Sequence, residues 1–206
     1  YIIIINKLKG FHWHIAEAGA GWEKDSVNLW DSPKVQIVTN INLQHQDLFG
    51  VKTIAEIVKI KVGFLSKNTN IYIGKQDSKI LKIVKRILKS NPSKQFYYGK
   101  DFRLFKKKSY YVFQDKLGKL NLRAKQIHSD GLWQNIALAI KVARDLGVKN
   151  KIILKALSKI KMQGRLEYIK KGEGKLRKYL NFKEDLCLDG AHSFTAAKNG
   201  SSYLKS

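Results

Sequence analysis

Two hydrophobic rhythms alternate between positions 34 and 90, and this alternation constrains the fold more than any other feature. "KVQIVTNI" (34–41) and "TNIYIG" (69–74) are short, rich in β-branched residues and nearly free of charge, as strands covered on both faces of a parallel sheet must be. Ile54, Ile57, Val58 and Val62 recur at helical spacing behind a possible capping box, Thr53 with Glu56. In "DSKILKIVKRILKS" (77–90), Ile80, Leu81, Val84, Ile87 and Leu88 share one helical face and the lysines take the other. Strand, helix, strand, helix predicts an α/β fold with a parallel sheet. "FHWHIAEAG" (11–19) is expected to be a buried strand ending at Glu17 and a glycine turn.

After position 90 the rhythm changes. In "QFYYGKDFRLF" (95–105) and "SYYVFQDKLGKLNLR" (109–123) aromatics alternate with polar residues around a "DKLGK" turn, which predicts a small antiparallel hairpin layer beside the α/β body. Helices are expected from Trp133 to Leu146, closed by Gly147, and over 151–160. "KMQGRLEYIKKGEGKLRKYLNFKED" (161–185) is charged and glycine-bearing. The expected organisation is therefore a central domain over 1–162, a linker over 163–185, and a second domain opening with a strand at 186–188. One strand and one helix cannot bury their own faces, so that second domain is expected to be incomplete within 186–206.

Forty Lys and Arg against sixteen Asp and Glu give a formal charge of +24. A phosphate-binding surface needs its cations gathered on one face. Here they are spread almost evenly, with local peaks such as "FKKKSYY" and "YIKKGEGKLRK", so the charge reads as a solvated surface. No apolar run approaches membrane-spanning length and no small-residue cleavage site follows an apolar region. The single Cys187 excludes an intramolecular disulfide framework. These features lead us to expect a cytoplasmic chain without a membrane partner.

"LCLDGAHSFTAAKNG" (186–200) stops an apolar run at Asp189 and presents His192 after a glycine turn. Two readings fit it. Asp-Gly is a common turn pair, and the carboxyl ends of strands are also where open α/β sheets bind ligands. Three more stretches place chemistry-bearing residues at similar junctions: "EAGAGWEKDSVN" (17–28) with Glu17, "INLQHQDLFG" (41–50) with His45, and "IAEIVKIKVGFL" (54–65) with Lys61. "QGRLE" (163–167) adds Arg165.

In their order and chemistry these stretches resemble the folylpolyglutamate synthase/dihydrofolate synthase family of the Mur ligase superfamily, most sharply over 17–65 and 131–197. The resemblance implies a Mur-ligase-like central domain followed by the start of a Rossmann-like C-terminal domain. It implies an ATP- and Mg2+-dependent ligase that joins L-glutamate to a folate or pteroate carboxylate through an acyl phosphate, working as a monomer. Glu17 and His45 fall on the family's magnesium ligands, and Lys61 on its carbamylated lysine. Asn135 falls on a nucleotide-contacting asparagine. Arg165 and Asp189 match the inter-domain arginine and second-domain aspartate that close on ATP, and His192 matches the histidine of the same turn.

The residues themselves support part of this. Magnesium prefers hard oxygen ligands, which suits Glu17 better than His45. Apolar Ile57, Val58 and Val62 around Lys61 would lower its pKa, as carbamylation requires. A guanidinium such as Arg165 binds phosphate in a fixed fork. The departures are equally specific. Trp22 and Glu23 follow Gly21 where the family has glycine and arginine, Gln44 replaces an Asp, Ile60 a Glu, and Ser193 an Asn. "GLWQN" (131–135) lacks the family's Gln, and no P-loop occurs in the 206 residues. The chain is thus expected to be a truncated or degenerate ligase copy. Two alternatives remain: one half of a split ligase, or a basic nucleic-acid-binding protein using Tyr97, Tyr98, Phe102 and Phe105 as a stacking platform, although alternating aromatics in a hairpin also pack cores.

Overall fold

In the computed structural model, residues 13–44, 46–169, 186–191, 197, 200 and 201 are described. The chain divides into two compact units, Tyr1–Lys100 and Asp101–Ser206.

The first unit is a parallel three-stranded sheet in the order β1 (Val35–Val38), β2 (Asn70–Ile73), β3 (Lys94–Tyr97). Between β1 and β2 lie a short helix α1 (Gln46–Phe49) and α2 (Ile54–Val62), and α3 (Ser78–Leu88) joins β2 to β3. The central strand is covered on both faces, with Ile71, Tyr72 and Ile73 at 0–1% exposure. Ile71 and Ile73 pack with Ile57, Val58 and Val62 of α2 and Val84 and Leu88 of α3. Tyr72, on the other face, stacks on Phe96 with centroids 4.6 Å apart.

The capping box at the start of α2 is present. The Thr53 hydroxyl accepts the Glu56 backbone N–H, and the Glu56 carboxylate accepts the N–H groups of Thr53 and Lys52. The hydroxyl's own bond to that carboxylate, then the two backbone donors, hold Glu56 below the usual carboxylate range. Thr53→Ala should cost about 1 kcal/mol, read from the urea midpoint. Because the Glu56 pKa is depressed on folding, its contribution is complete above the ordinary carboxylate range and lost as pH falls through the folded value. Glu56→Gln should therefore remove acid sensitivity below the ordinary Glu pKa, and an unchanged pH profile of the midpoint would contradict the assignment.

The second unit opens with an antiparallel sheet of β4 (Phe102–Lys106), β5 (Tyr111–Asp115) and β6 (Gly118–Leu122). Two helices follow, α4 (Asp130–Asp145) and α5 (Asn150–Leu157). Trp133 on α4 stacks on Tyr111, and the Tyr111 hydroxyl donates to Asp130 at 2.8 Å. Burial, then Asp130, pushes the Tyr111 phenol up. Two short strands, β7 (Glu167–Ile169) and β8 (Leu186–Leu188), pair antiparallel.

Several expectations need correction. Residues 13–18 form no strand, and Trp13, Ile15 and Glu17 are exposed. Apolar content is not enough, because an extended segment needs a neighbour to satisfy its backbone, and none pairs with it among the described residues. Residues 95–97, expected in the antiparallel layer, complete the parallel sheet as part of β3. Gly99, at φ +90°, then lets the chain turn before β4. The helix expected from Trp133 begins at Asp130, because Ser129 caps it by accepting the Leu132 N–H. The stretch read as a linker contains β7, whose partner β8 lies about twenty residues on, beyond the reach of a local pattern.

Candidate functional site

In the first unit the candidate residues gather around the loop after Glu17. Asp25 ties the loop into a turn by accepting the Gly19 and Val27 N–H groups at 2.8 and 3.1 Å. Trp22 donates its backbone N–H to the Ile60 carbonyl on α2, and its ring packs against the core. Gly21 sits so close that a Cβ there would lie 2.8 Å from the Ile60 side chain. Trp22 thus anchors this loop on α2, using the helix position where the resembled family has a Glu.

Lys61 follows from the same helix. It stands four residues after Ile57 and three after Val58, both fully buried, so its stem runs along the core edge. Its ammonium donates to the Ala20 carbonyl at 2.7 Å, part-buried. Burial lowers its pKa, which raises the share of neutral, nucleophilic amine. Lys61 therefore meets the loop three residues beyond Glu17, whose carboxylate is exposed. His45 lies outside the described residues. Among the described residues no group of three or more His, Cys, Asp and Glu side chains could hold a metal ion. A carboxylate and a carbamylated lysine would nevertheless form a hard-oxygen donor set of the kind Mg2+ takes.

In the second unit, Asn135 lies exposed on α4. The "QGRLE" and "LDGAH" stretches, separated in sequence by the expected linker, are joined. Gly190 donates its N–H to the Gly164 carbonyl at 2.7 Å, and Arg165 Nη1 donates to the Gly190 carbonyl at 2.9 Å. Glu167 accepts the Gly164 N–H at 2.7 Å. Gly164 has φ +63°, and buried Leu166 also takes a left-handed φ, +49°, a conformation that costs a leucine about 1–2 kcal/mol. Asp189 is exposed after β8, and Gly200 passes so close that a Cβ there would lie 3.1 Å from Asp189 Oδ2. Burial, then Asp189, raises the Cys187 thiol. His192 lies outside the described residues. Arg165 uses one guanidinium nitrogen on Gly190 and is exposed to solvent, which leaves further donors in the fork for an anion.

Sequence reasoning missed Asp25 and Glu167, the two carboxylates that shape these loops. Their signal was present: each stands a short step after a glycine, where a side-chain oxygen captures a turn's backbone N–H.

Solved structures share this architecture. A folylpolyglutamate synthase in complex with AMPPCP and folate superposes with a TM-score of 0.77 at 23% identity, over 92% of this chain and 46% of its own. Escherichia coli FolC with DHPP and ADP gives 0.75 at 20% identity, over 91% and 42%. The Mycobacterium tuberculosis folylpolyglutamate synthase complexed with ADP and AMPPCP gives 0.72 at 20%, over the same shares. This chain has the folylpolyglutamate synthase fold. It spans a little under half the length of these structures. No family model and no curated protein matches the sequence. Among the described residues no helix is long and apolar enough to cross a membrane.

One further expectation falls differently. Tyr97 and Phe102 of the suggested stacking platform are 8% and 1% exposed, Tyr98 is half-buried, and Phe105 is exposed. Tyr97 belongs to the parallel-sheet core and Phe102 packs on Phe113, so neither ring is open for base stacking.

Proposed function

We propose that this chain is part of an ATP-dependent carboxylate–amine ligase that adds L-glutamate to a folate or pteroate carboxylate through an acyl phosphate. The observation that carries the reading is the stitching of the Gly164–Glu167 turn to Gly190, the residue after Asp189, through the Arg165 and Gly190 hydrogen bonds. It holds a guanidinium and a carboxylate on neighbouring turns in a fold whose solved examples include nucleotide complexes. Arg165 would take nucleotide phosphate oxygens and Asp189 a nucleotide hydroxyl, with Asn135 and His192 as further contacts. Glu17, His45 and a carbamylated Lys61 would hold Mg2+, which when bound supplies charge neutralisation on the transferring phosphoryl group. Lys61 reaches that state by attack of its neutral amine on carbon dioxide, forming the N–C bond and releasing one proton.

The domain arrangement over 1–162, 163–185 and 186–206 belongs to the same proposal, with β7 inside the connecting stretch pairing with the strand that opens the last segment, as does cytoplasmic location. Since the 206 residues contain no P-loop, the triphosphate cradle would come from further sequence, on this polypeptide or on a second one as in a split ligase. Calorimetric titration with ADP and Mg2+ tests the nucleotide surface. Weak binding is expected, reduced about tenfold or more in Arg165→Ala, because a charged hydrogen bond to phosphate contributes about 1.5–3 kcal/mol. Equal ADP affinity of wild type and Arg165→Ala would remove Arg165 from the site.

A further inference from the structure

The register of the β4–β6 sheet sorts its side chains into two unlike faces. Phe102 and Leu104 pair with Asp115 and Phe113, and Phe113 with Leu120, and this face is the buried one. Arg103 pairs with Gln114, which pairs with Lys119, and Phe105 pairs with Val112, which pairs with Asn121. On this second face Arg103, Phe105, Lys119 and Asn121 are exposed, Phe105 at 39%. Arg103 lies 6.0 Å over the Phe105 ring, and Arg123 lies 5.6 Å over Tyr110 at the end of the same sheet.

The face carries no carboxylate. Between 102 and 129 the chain has eight Lys and Arg and a single acid, Asp115, which is turned to the buried side and paired with Arg144. Of these eight, the strand alternation places Arg103 and Lys119 on this face, with Arg123 just beyond β6 in the same alternation, whereas Lys106 falls on the other face beside Asp130. The aromatic rings are part of the same surface. An acidic polypeptide would answer the charge and leave the ring faces unused. Nucleobases answer both, stacking on rings and guanidinium planes while phosphates meet the cations, and the Gln114 and Asn121 amides can pair with base edges.

We propose that this face, built on Arg103, Phe105, Tyr110, Lys119 and Arg123, binds single-stranded nucleic acid without sequence preference. Strands of five residues give room for roughly two or three stacked bases. The proposal is independent of the ligase reading, since it uses none of the residues assigned there.

The test is fluorescence anisotropy of the full chain with a labelled oligouridine of about 12 nucleotides. Phe105→Ala and Tyr110→Ala should each weaken binding about fivefold or more, whereas Phe105→Tyr, which keeps the ring, should bind as wild type. Phe105→Leu keeps an apolar cover over Val112 and should weaken binding like the alanine variant, which separates loss of stacking from loss of fold. Arg103→Ala should flatten the salt dependence, and Lys82→Ala, exposed on α3, should change nothing. Wild-type affinity in Phe105→Leu and Phe105→Ala would overturn the proposal. So would competition by polyglutamate equal to that by unlabelled oligouridine, which would mark the face as a site for acidic protein.

Discussion

Arg144→Met should lower the unfolding free energy of the second unit by about 3–5 kcal/mol, the cost of leaving a buried charge without its partner. Arg144 leaves the last turn of α4 and its side chain is 3% exposed, against 0% for Asp115. Its Nη1 donates to Asp115 Oδ1 at 2.5 Å and to the Gly118 carbonyl, and its Nε donates to Asn150 at the start of α5. One guanidinium therefore joins the β5–β6 turn to both helices, and the ring of Phe113 lies 5.5 Å below it. Methionine preserves the stem packing and removes every donor. Asp115 Oδ2 already has no partner among the described residues, so Asp115 cannot transfer its charge to another group there. A loss of several kcal/mol is large against the total stability of a domain. Urea unfolding followed by tryptophan fluorescence gives the value through Trp133. Adding Asp115→Asn to Arg144→Met should recover part of the loss, because it removes the stranded charge while keeping an acceptor for the Leu117 N–H. A loss below about 1 kcal/mol, the range of an exposed pair, would contradict the assignment.

The second large effect concerns turnover. The 206-residue chain by itself should not release phosphate from ATP at a rate above the uncatalysed one. Mg2+ in phosphoryl-transfer sites is normally held jointly by one or two carboxylates and the nucleotide's own phosphates, and backbone N–H groups with a lysine fix the β- and γ-phosphates. The sequence has no G-x-x-x-x-G-K-[ST] run. "KKGEGKLRK" lacks the first glycine at the required spacing and the hydroxyl after the lysine. Positioning is worth roughly 10⁵–10⁸ M in effective concentration, so partial contacts from Arg165 and Asp189 cannot replace it. Phosphate release measured with the chain, ATP, Mg2+, folate and glutamate checks this directly.

The parallel unit was legible in the sequence because its signals are local. β-branched runs marked β1 and β2, the Thr53–Glu56 pair marked the start of α2, and the one-faced apolar stripe of 77–90 marked α3. What escaped was decided by distant partners. Residues 13–18 have strand composition but no pairing neighbour among the described residues. "KQFY" (94–97) looks like a hairpin arm until β2 lies beside it, and β7 is three residues inside a charged stretch. The site divides along the same line. That Lys61 would sit in apolar surroundings could be read from Ile57, Val58 and Val62. Its bond to the Ala20 carbonyl could not, since the two are 41 positions apart. Likewise Arg165 could be singled out from its own stretch, but the Gly190 carbonyl that it bonds lies 25 positions on.

The most direct test of the ligase reading is glutamate incorporation into folate. The chain would be mixed with a separately expressed complement from a folylpolyglutamate synthase, carrying both the P-loop segment and the remainder of the C-terminal domain, together with ATP, Mg2+, folate and isotopically labelled glutamate. Labelled folylglutamate should form in the mixture, should be absent with either component alone, and should fall by about two orders of magnitude or more in Arg165→Ala and Lys61→Ala, as removal of transition-state charge stabilisation does. A mixture in which the two segments associate and bind ADP, yet no labelled product forms, would contradict it.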